Sequence, residues 1–141
     1  MSDISPVEGF EAYPTRPGFI RHNGGFFLHC ERPVIGARIT EEHLNPLRIA
    51  HGGFLATLAD TSFGAVLRRQ YDLPVAPVTV NLNIDYLGAV REGDWVEVYV
   101  TVHKFGRTVI NASCELKVGD RLALRAHGNF MVWTGEIPAV K

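Results

Sequence analysis

The sequence predicts an α+β fold, one long apolar helix laid on an antiparallel β-sheet. Three observations predict it. Gly53 to Arg69 runs without a proline, and between His51 and Arg68 the only ionisable residue is Asp60. From Val78 onward, apolar and polar residues alternate through four segments joined by short turns. Short extended stretches precede the helix. A helix apolar on nearly every side is a buried one, and a two-residue period marks strands with one dry and one wet face. The helix must then cover the dry face.

Taken in order, residues 1–17 hold Pro6, Pro14 and Pro17 and no clear period. They read as an irregular leader with one helical turn near Val7 to Ala12, packed on the body through Phe10, Tyr13 and Phe19. A single domain is expected over 18–141. Phe19 to His22 reads as a strand, Asn23-Gly24-Gly25 as a turn, and Phe26 to Glu31 as the returning strand. After Pro33, Val34 to Ile39 resumes an extended pattern. Thr40 before Glu41, Glu42 and His43 resembles a helix N-cap with an acidic first turn. Asn45-Pro46 ends that turn, and a loop to Ala50 leads into the long helix. Beyond the helix, strands are expected over Val78–Tyr86, Trp95–His103, Ile110–Val118 and Leu122–Trp133, forming a four-stranded meander.

Bulk properties remove several functions. The 141 residues fit one domain, 46% hydrophobic and with a formal net charge of −1, so no electrostatic case exists for nucleic acid or a membrane surface. No apolar run approaches the length of a membrane span. Cys30 and Cys114 are too few for a disulfide scaffold and lack ligand spacing. The six histidines form no i, i+4 pair, and neither a zinc signature nor a Gly-x-Ser-x-Gly elbow is present. No metal is expected. The N-terminus lacks a basic region followed by an apolar run, so the expected setting is a reducing one, the cytoplasm.

Four features carry chemistry. His51-Gly52-Gly53 opens the helix, where unpaired N–H groups favour negative charge and glycine admits a close carbonyl. That arrangement suits an oxyanion hole, although the glycines could equally serve tight packing. Asp60 lies nine residues after His51, roughly 13 Å along a helix axis. A site using both must be shared between subunits; the alternative is an aspartate bonded to Thr57, Thr61 or Ser62. Asn45 could donate to the same carbonyl, or could simply be a turn residue before proline. Thr79, on the polar side of the next strand, could position a water for a carboxylate, or face solvent. The basic turn Lys104-Phe105-Gly106-Arg107-Thr108 would suit phosphates, though charged turns are commonly just solvated.

Asn45, His51-Gly52-Gly53, Asp60, Thr79 and Asn83-Ile84-Asp85-Tyr86-Leu87, at these spacings, resemble the hotdog-fold acyl-CoA thioesterases. The similarity extends from about Gly36 to Trp133 and points to the phenylacetate-pathway type and the small mammalian thioesterase-superfamily proteins. The resemblance implies a curved antiparallel sheet around the helix, edge-to-edge dimers that can pair into tetramers, and active sites at the dimer interface. It implies that the Gly52 N–H and Asn45 polarise the thioester carbonyl, with His51 near the leaving sulfur. Asp60 of the partner would be general base or nucleophile, and Thr79 would hold the water. Tyr86 and the turn Lys104, Phe105, Gly106, Arg107, Thr108 and Val109 match positions that contact coenzyme A. Relatives often carry glycine where this chain has Arg48, which either reshapes the loop or meets a CoA phosphate.

The expected activity is thioester hydrolysis to a free acid and CoA, with no cofactor beyond the CoA of the substrate. Two rivals remain, a hotdog hydratase or dehydratase and a non-catalytic acyl-CoA-binding protein. Phe54, Thr57, Leu58, Thr61 and the leader aromatics are expected to shape the acyl tunnel.

Overall fold

A computed structural model describes residues 5–133. Three short strands, β1 (Phe10–Ala12), β2 (Phe26–His29) and β3 (Val34–Arg38), precede the long helix. A short helix, α1 (Phe19–Asn23), sits between β1 and β2, and a 3₁₀ turn covers Glu41–His43. The long helix α2 spans Gly52–Gln70. Then follow β4 (Val78–Tyr86), β5 (Trp95–Phe105), β6 (Val109–Val118) and β7 (Arg121–Met131). All seven strands form one antiparallel sheet in the order β1-β2-β3-β5-β6-β7-β4. This is the architecture of one long helix on an antiparallel sheet that the alternation predicts.

Helix α2 buries a broad face, with Leu55, Leu58, Ala59, Ser62, Phe63, Ala65, Val66 and Leu67 all hidden. They meet the inward residues of the sheet, including Ile35, Val96, Val98, Ile110, Leu116, Leu124 and Phe130. The Phe63 and Phe130 rings lie 4.6 Å apart at the centre of this core. Ser62, the one polar side chain of α2 that is fully buried, donates to the Leu58 carbonyl at 2.6 Å, which satisfies its hydroxyl without a second element. At the C-terminal end Arg69 donates to the carbonyls of His29 and Arg32, tying the helix to the β2–β3 turn.

Four local expectations are corrected. Phe19 to His22 is helical, not extended. Pro17-Gly18 starts the turn, the His22 N–H donates to the Gly18 carbonyl at 3.0 Å and the Asn23 amide to the Phe19 carbonyl at 3.0 Å. The strand beside β2 is instead β1, inside the stretch expected to be an irregular leader and where a helical turn was expected. Phe10 is the reason: it is buried against Trp95 and His29 with ring centroids 5.2 and 5.1 Å away. The meander holds only for β5, β6 and β7. Strand β4 pairs with β7 at the far edge, because the β4–β5 link is long enough to cross two strands. Arg121 fastens that link by donating to the Ala89 carbonyl at 2.8 Å. Last, Leu58 is wholly buried in the core and faces no tunnel. Strand β7 ends at Met131, and the expected domain end at 141 lies outside the described residues, as do residues 1–4.

As an edge strand, β4 is poorly covered. A bulge between Thr79 and Asn81 shifts its register, and Val78 and Val80 remain 47% and 61% exposed despite their apolar character. Among the described residues no helix is long and apolar enough to cross a membrane.

The core centre sets a stability expectation. Phe63→Ala removes the ring packed against Phe130 and leaves a cavity, costing about 3–5 kcal/mol, whereas Phe63→Leu costs less. Urea denaturation of the two variants checks the order.

Candidate active site

The loop 43–51 folds back on itself before α2. Leu44 and Ala50 form an antiparallel bridge. The Asn45 N–H donates to the Ile49 carbonyl at 2.8 Å and the His51 N–H to the His43 carbonyl at 2.8 Å. The Ala50 N–H reaches the Val90 carbonyl at 2.7 Å. Asn45 Oδ1 accepts from the Leu47 and Ile49 N–H groups at 2.9 and 3.4 Å. The turn role therefore takes only the oxygen of the Asn45 amide, and its Nδ2 has no partner among the described residues. This hairpin-like closure brings Asn45 and the helix start to one end of the molecule.

Arg48 sits in this loop with φ of 62°, the left-handed region where side chains other than glycine are strained. That explains a glycine preference at the position. The loop keeps the shape a glycine would give, and the Arg48 guanidinium lies 3.7 Å from Glu41 and 3.9 Å from Glu92.

At the helix start His51 has extended backbone and acts as N-cap, its Nδ1 accepting from the Gly53 N–H at 2.8 Å. With Nδ1 as acceptor, the neutral ring carries its proton on Nε2. The first intrahelical bond runs from Leu55 to His51, so the Gly52 N–H has no helical acceptor, and none meets it among the described residues. The Tyr86 hydroxyl donates to the Gly52 carbonyl at 2.7 Å. A Cβ on Gly52 would stand 3.3 Å from the Tyr86 ring, tighter than ordinary contact. Strand β4 thus ends where α2 begins. A cavity of about 320 Å³ opens beside this end, lined among others by Phe19, His43, His51, Phe54 and Thr57. Thr61 lines a separate hollow under the leader, with Tyr13 and Arg68.

His43 is a component that motif reasoning missed. It is buried, stacks on Phe54 with centroids 3.8 Å apart, accepts from the Thr40 N–H at 3.0 Å and bonds the Asn23 carbonyl through Nε2 at 3.1 Å. Burial holds its pKa below the usual 6.5, outweighing the hydrogen bonds to the Asn23 and Gly24 backbone. The signal available in sequence was a histidine after two glutamates behind a Thr, which reads as a turn residue and no more.

Asp60 lies roughly 12 Å along the axis from Gly52. Its Oδ1 accepts from the Thr79 hydroxyl at 2.6 Å. The local alternatives are not taken up: Thr57 donates to the Gly53 carbonyl, Ser62 to the Leu58 carbonyl, and the hydroxyl on the Asp60 carboxylate is that of Thr79, not Thr61. Thr79 is bound to the carboxylate directly and does not simply face solvent. The basic turn is further still. Phe105 packs against Tyr71 at the C-terminal end of α2, ring centroids 4.1 Å apart and the planes tilted by 33°. Gly106 allows the turn to close, since a Cβ there would come within 2.7 Å of the Val109 carbonyl. Lys104, Gly106, Arg107, Thr108, Val109 and Asn111 line a cavity of about 280 Å³. Within one chain the expected residues therefore fall into three groups: Asn45, His51, Gly52 and Tyr86 at one end, Asp60 and Thr79 at mid-helix, and the basic turn at the other end. No metal-binding cluster of three or more His, Cys, Asp or Glu occurs among the described residues.

Comparison with known proteins gives this arrangement a family. Residues 47–124 match the Thioesterase superfamily. A candidate esterase of Pseudomonas aeruginosa is 42% identical over 126 residues, covering 87% of this chain and 94% of that protein. The chain belongs to the thioesterase superfamily. Acyl-coenzyme A thioesterase 13 of Mus musculus is 34% identical over 89 residues, 61% of each chain. Among solved structures of the superfamily, the zebrafish thioesterase superfamily member 2 superposes with a TM-score of 0.74 at 27% identity, covering 84% of this chain and 88% of that one. A hypothetical thioesterase of Streptococcus pneumoniae, solved with coenzyme A, gives 0.65 at 25% identity over 94% and 95% of the two chains. The fold is the hotdog fold.

Two expectations follow from the site's geometry. His43 has its folded pKa below the unfolded value, so the unfolded chain takes up the proton first as pH falls. Its contribution to stability is complete above about 6.5 and declines as pH drops through that value towards the folded one. Thermal midpoints should therefore fall between pH 7.5 and 5.5, and fall less in His43→Gln. At Arg48, replacement by glycine relieves the left-handed strain, roughly 1 kcal/mol, and gives up only exposed ion pairs of small worth. Arg48→Gly should hold or raise the urea midpoint, and Arg48→Val should lower it.

Proposed function

We propose that the protein is an acyl-CoA thioesterase whose active site is completed across a homodimer. The observation that carries this is the separation of Asp60–Thr79 from the Gly52 helix start, each with its own unused chemistry. The Gly52 N–H and the Asn45 Nδ2 are donors without acceptors. Asp60 is an acceptor held in place by one hydroxyl. The superfamily assignment, the acyl-coenzyme A name of the mouse relative and the coenzyme A in the streptococcal structure support the substrate class.

The edge strand supplies the way to join the halves. Strand β4 starts beside Asp60, through Thr79, and ends beside Gly52, through Tyr86. It is unpaired on one side and carries exposed Val78 and Val80. An edge of this kind is a template for a second strand. Antiparallel pairing of two β4 edges about a two-fold axis sets the start of one against the end of the other. Asp60 of one protomer then approaches the Gly52 end of its partner. The basic turn follows, because Val109 pairs with Met131, and Met131 with Val78 at the start of β4. Each shared site thus gains Lys104 and Arg107 for the phosphates of CoA.

In this reaction the thioester carbonyl accepts from the Gly52 N–H and Asn45 Nδ2. A water bound by the second carboxylate oxygen of the other protomer's Asp60, whose Oδ1 Thr79 holds, gives its proton to the carboxylate and attacks the acyl carbon. The C–S bond breaks, the CoA sulfur leaves beside His51, whose Nε2–H donates a hydrogen bond to it, and the departing thiolate takes up the proton that Asp60 accepted from water. Products are the carboxylic acid and CoA. An oxyanion donor of this type contributes roughly 10²–10³ in rate, and the base roughly 10²–10⁴.

With an acyl-CoA panel and a thiol-trapping dye, Asp60→Asn should lose about 10²–10⁴-fold in kcat, and Asn45→Ala less. Equal rates for wild type and Asp60→Asn would sink the assignment. A single turnover in ¹⁸O-water separates base from nucleophile: direct attack by water places the label in the acid at once. Light scattering at micromolar concentration should give at least a dimer, and a monomer would remove the shared site. If CoA binds without turnover of any substrate, the acyl-CoA-binding reading replaces this one.

A further inference from the structure

The peptide that presents the Gly52 N–H is held from behind by one buried side chain's own residue. The His51 N–H donates to the His43 carbonyl at 2.8 Å, which fixes the residue immediately before Gly52. His43 in turn is fixed on three sides. Thr40 donates to its Nδ1 at 3.0 Å, its Nε2 bonds the Asn23 carbonyl at 3.1 Å, and its ring lies on Phe54 of α2 with an interplanar angle of 17°. The contacts come from four separate segments: the turn before the helix, the end of α1, the loop into the site and the first turn of α2. With both ring nitrogens satisfied, the ring has one tautomer and one orientation.

We infer that His43 is a positioning residue for the helix-start donors, acting through its main-chain bond to His51 and not by touching substrate. This rests on the thioesterase reading above. A shift of the His43 backbone moves the His51–Gly52 peptide directly, because the Asn45–Ile49 and Leu44–Ala50 pairings make the loop a closed unit. A donor displaced by a fraction of an ångström from a developing oxyanion loses its effect on the transition state more than on substrate binding. Loss should therefore appear in kcat with KM little changed.

Two variants separate the ring's roles. His43→Phe keeps the stack on Phe54 and removes both ring hydrogen bonds. His43→Gln loses the stack and supplies an acceptor for the Thr40 N–H and a donor for the Asn23 carbonyl. Rates are taken per folded protein at 20 °C, with folding checked by circular dichroism. His43→Phe should lose at least tenfold in kcat with KM within threefold of wild type, and His43→Gln should recover most of that loss. Independently of turnover, the His51 amide, followed by NMR, should exchange at least tenfold faster in His43→Phe than in wild type, because its bond to the His43 carbonyl opens more often. A folded His43→Phe with kcat within threefold of wild type, a His43→Gln as slow as His43→Phe, or unchanged exchange at the His51 amide overturns the inference. If wild type hydrolyses no acyl-CoA, the thioesterase reading has failed, and the exchange measurement alone decides the role of His43.

Discussion

The burial of α2 against the sheet is the constraint on which the other features depend. One helix covers the inner face of the sheet, and Leu58, Phe63, Val66 and Leu67, all wholly buried there, leave it no freedom to shift along its axis. A helix fixed in this way is also a ruler. Gly52, Asp60 and Tyr71 mark its start, middle and end, and each meets a different partner: Tyr86 at the start, Thr79 at the middle and Phe105 at the end. Repacking that slid the helix by one turn would break all three contacts together. Core packing and site geometry are therefore one property of this chain.

The helix start carries a local conformational cost. Two successive glycines open α2, although each is less favourable than alanine in a helix by roughly 0.5–1 kcal/mol. Both positions are tight for a side chain. A Cβ at Gly52 would crowd the Tyr86 ring, and one at Gly53 would stand 3.0 Å from His51 Nδ1. Histidine is an unusual N-cap beside serine, threonine, aspartate or asparagine. Its Nδ1 nonetheless satisfies the Gly53 N–H, and so leaves the preceding Gly52 N–H as the open donor. A shorter hydroxyl or carboxylate cap would put an acceptor, or a negative charge, next to the position where the proposed reaction has a carbonyl oxygen gather charge.

Much of this was legible in the sequence, and what was missed has physical reasons. The long helix was readable because its apolar run has no interruption except Asp60, and β5 to β7 because their alternation is strict. Phe19 to His22 was not, since four residues cannot establish a period and the deciding bonds are to Gly18 and Asn23. The placement of β4 was not, since alternation reports which face is dry and not which neighbour a strand takes. The two-sided behaviour of Asn45, turn acceptor and free donor at once, needs coordinates. So does the role of His43, whose partners lie 3, 11 and 20 residues away. The separation of Asp60 from Gly52 was legible, because helix rise per residue is fixed.

That separation also bears on how many sites an assembly can hold. Under a two-fold axis any contact from one subunit to its partner is repeated in reverse. If Asp60 of one chain serves the Gly52 end of the other, the converse pair exists as well, and a dimer carries two equivalent sites with none in a monomer. The same symmetry disposes of the exposed edge. Val78 and Val80 of both chains are covered in one event, so the surface that makes β4 a liability in isolation becomes the seam that closes both sites. Activity and concealment of the edge should then rise together with protein concentration, a coupling that a site contained within one chain would not produce.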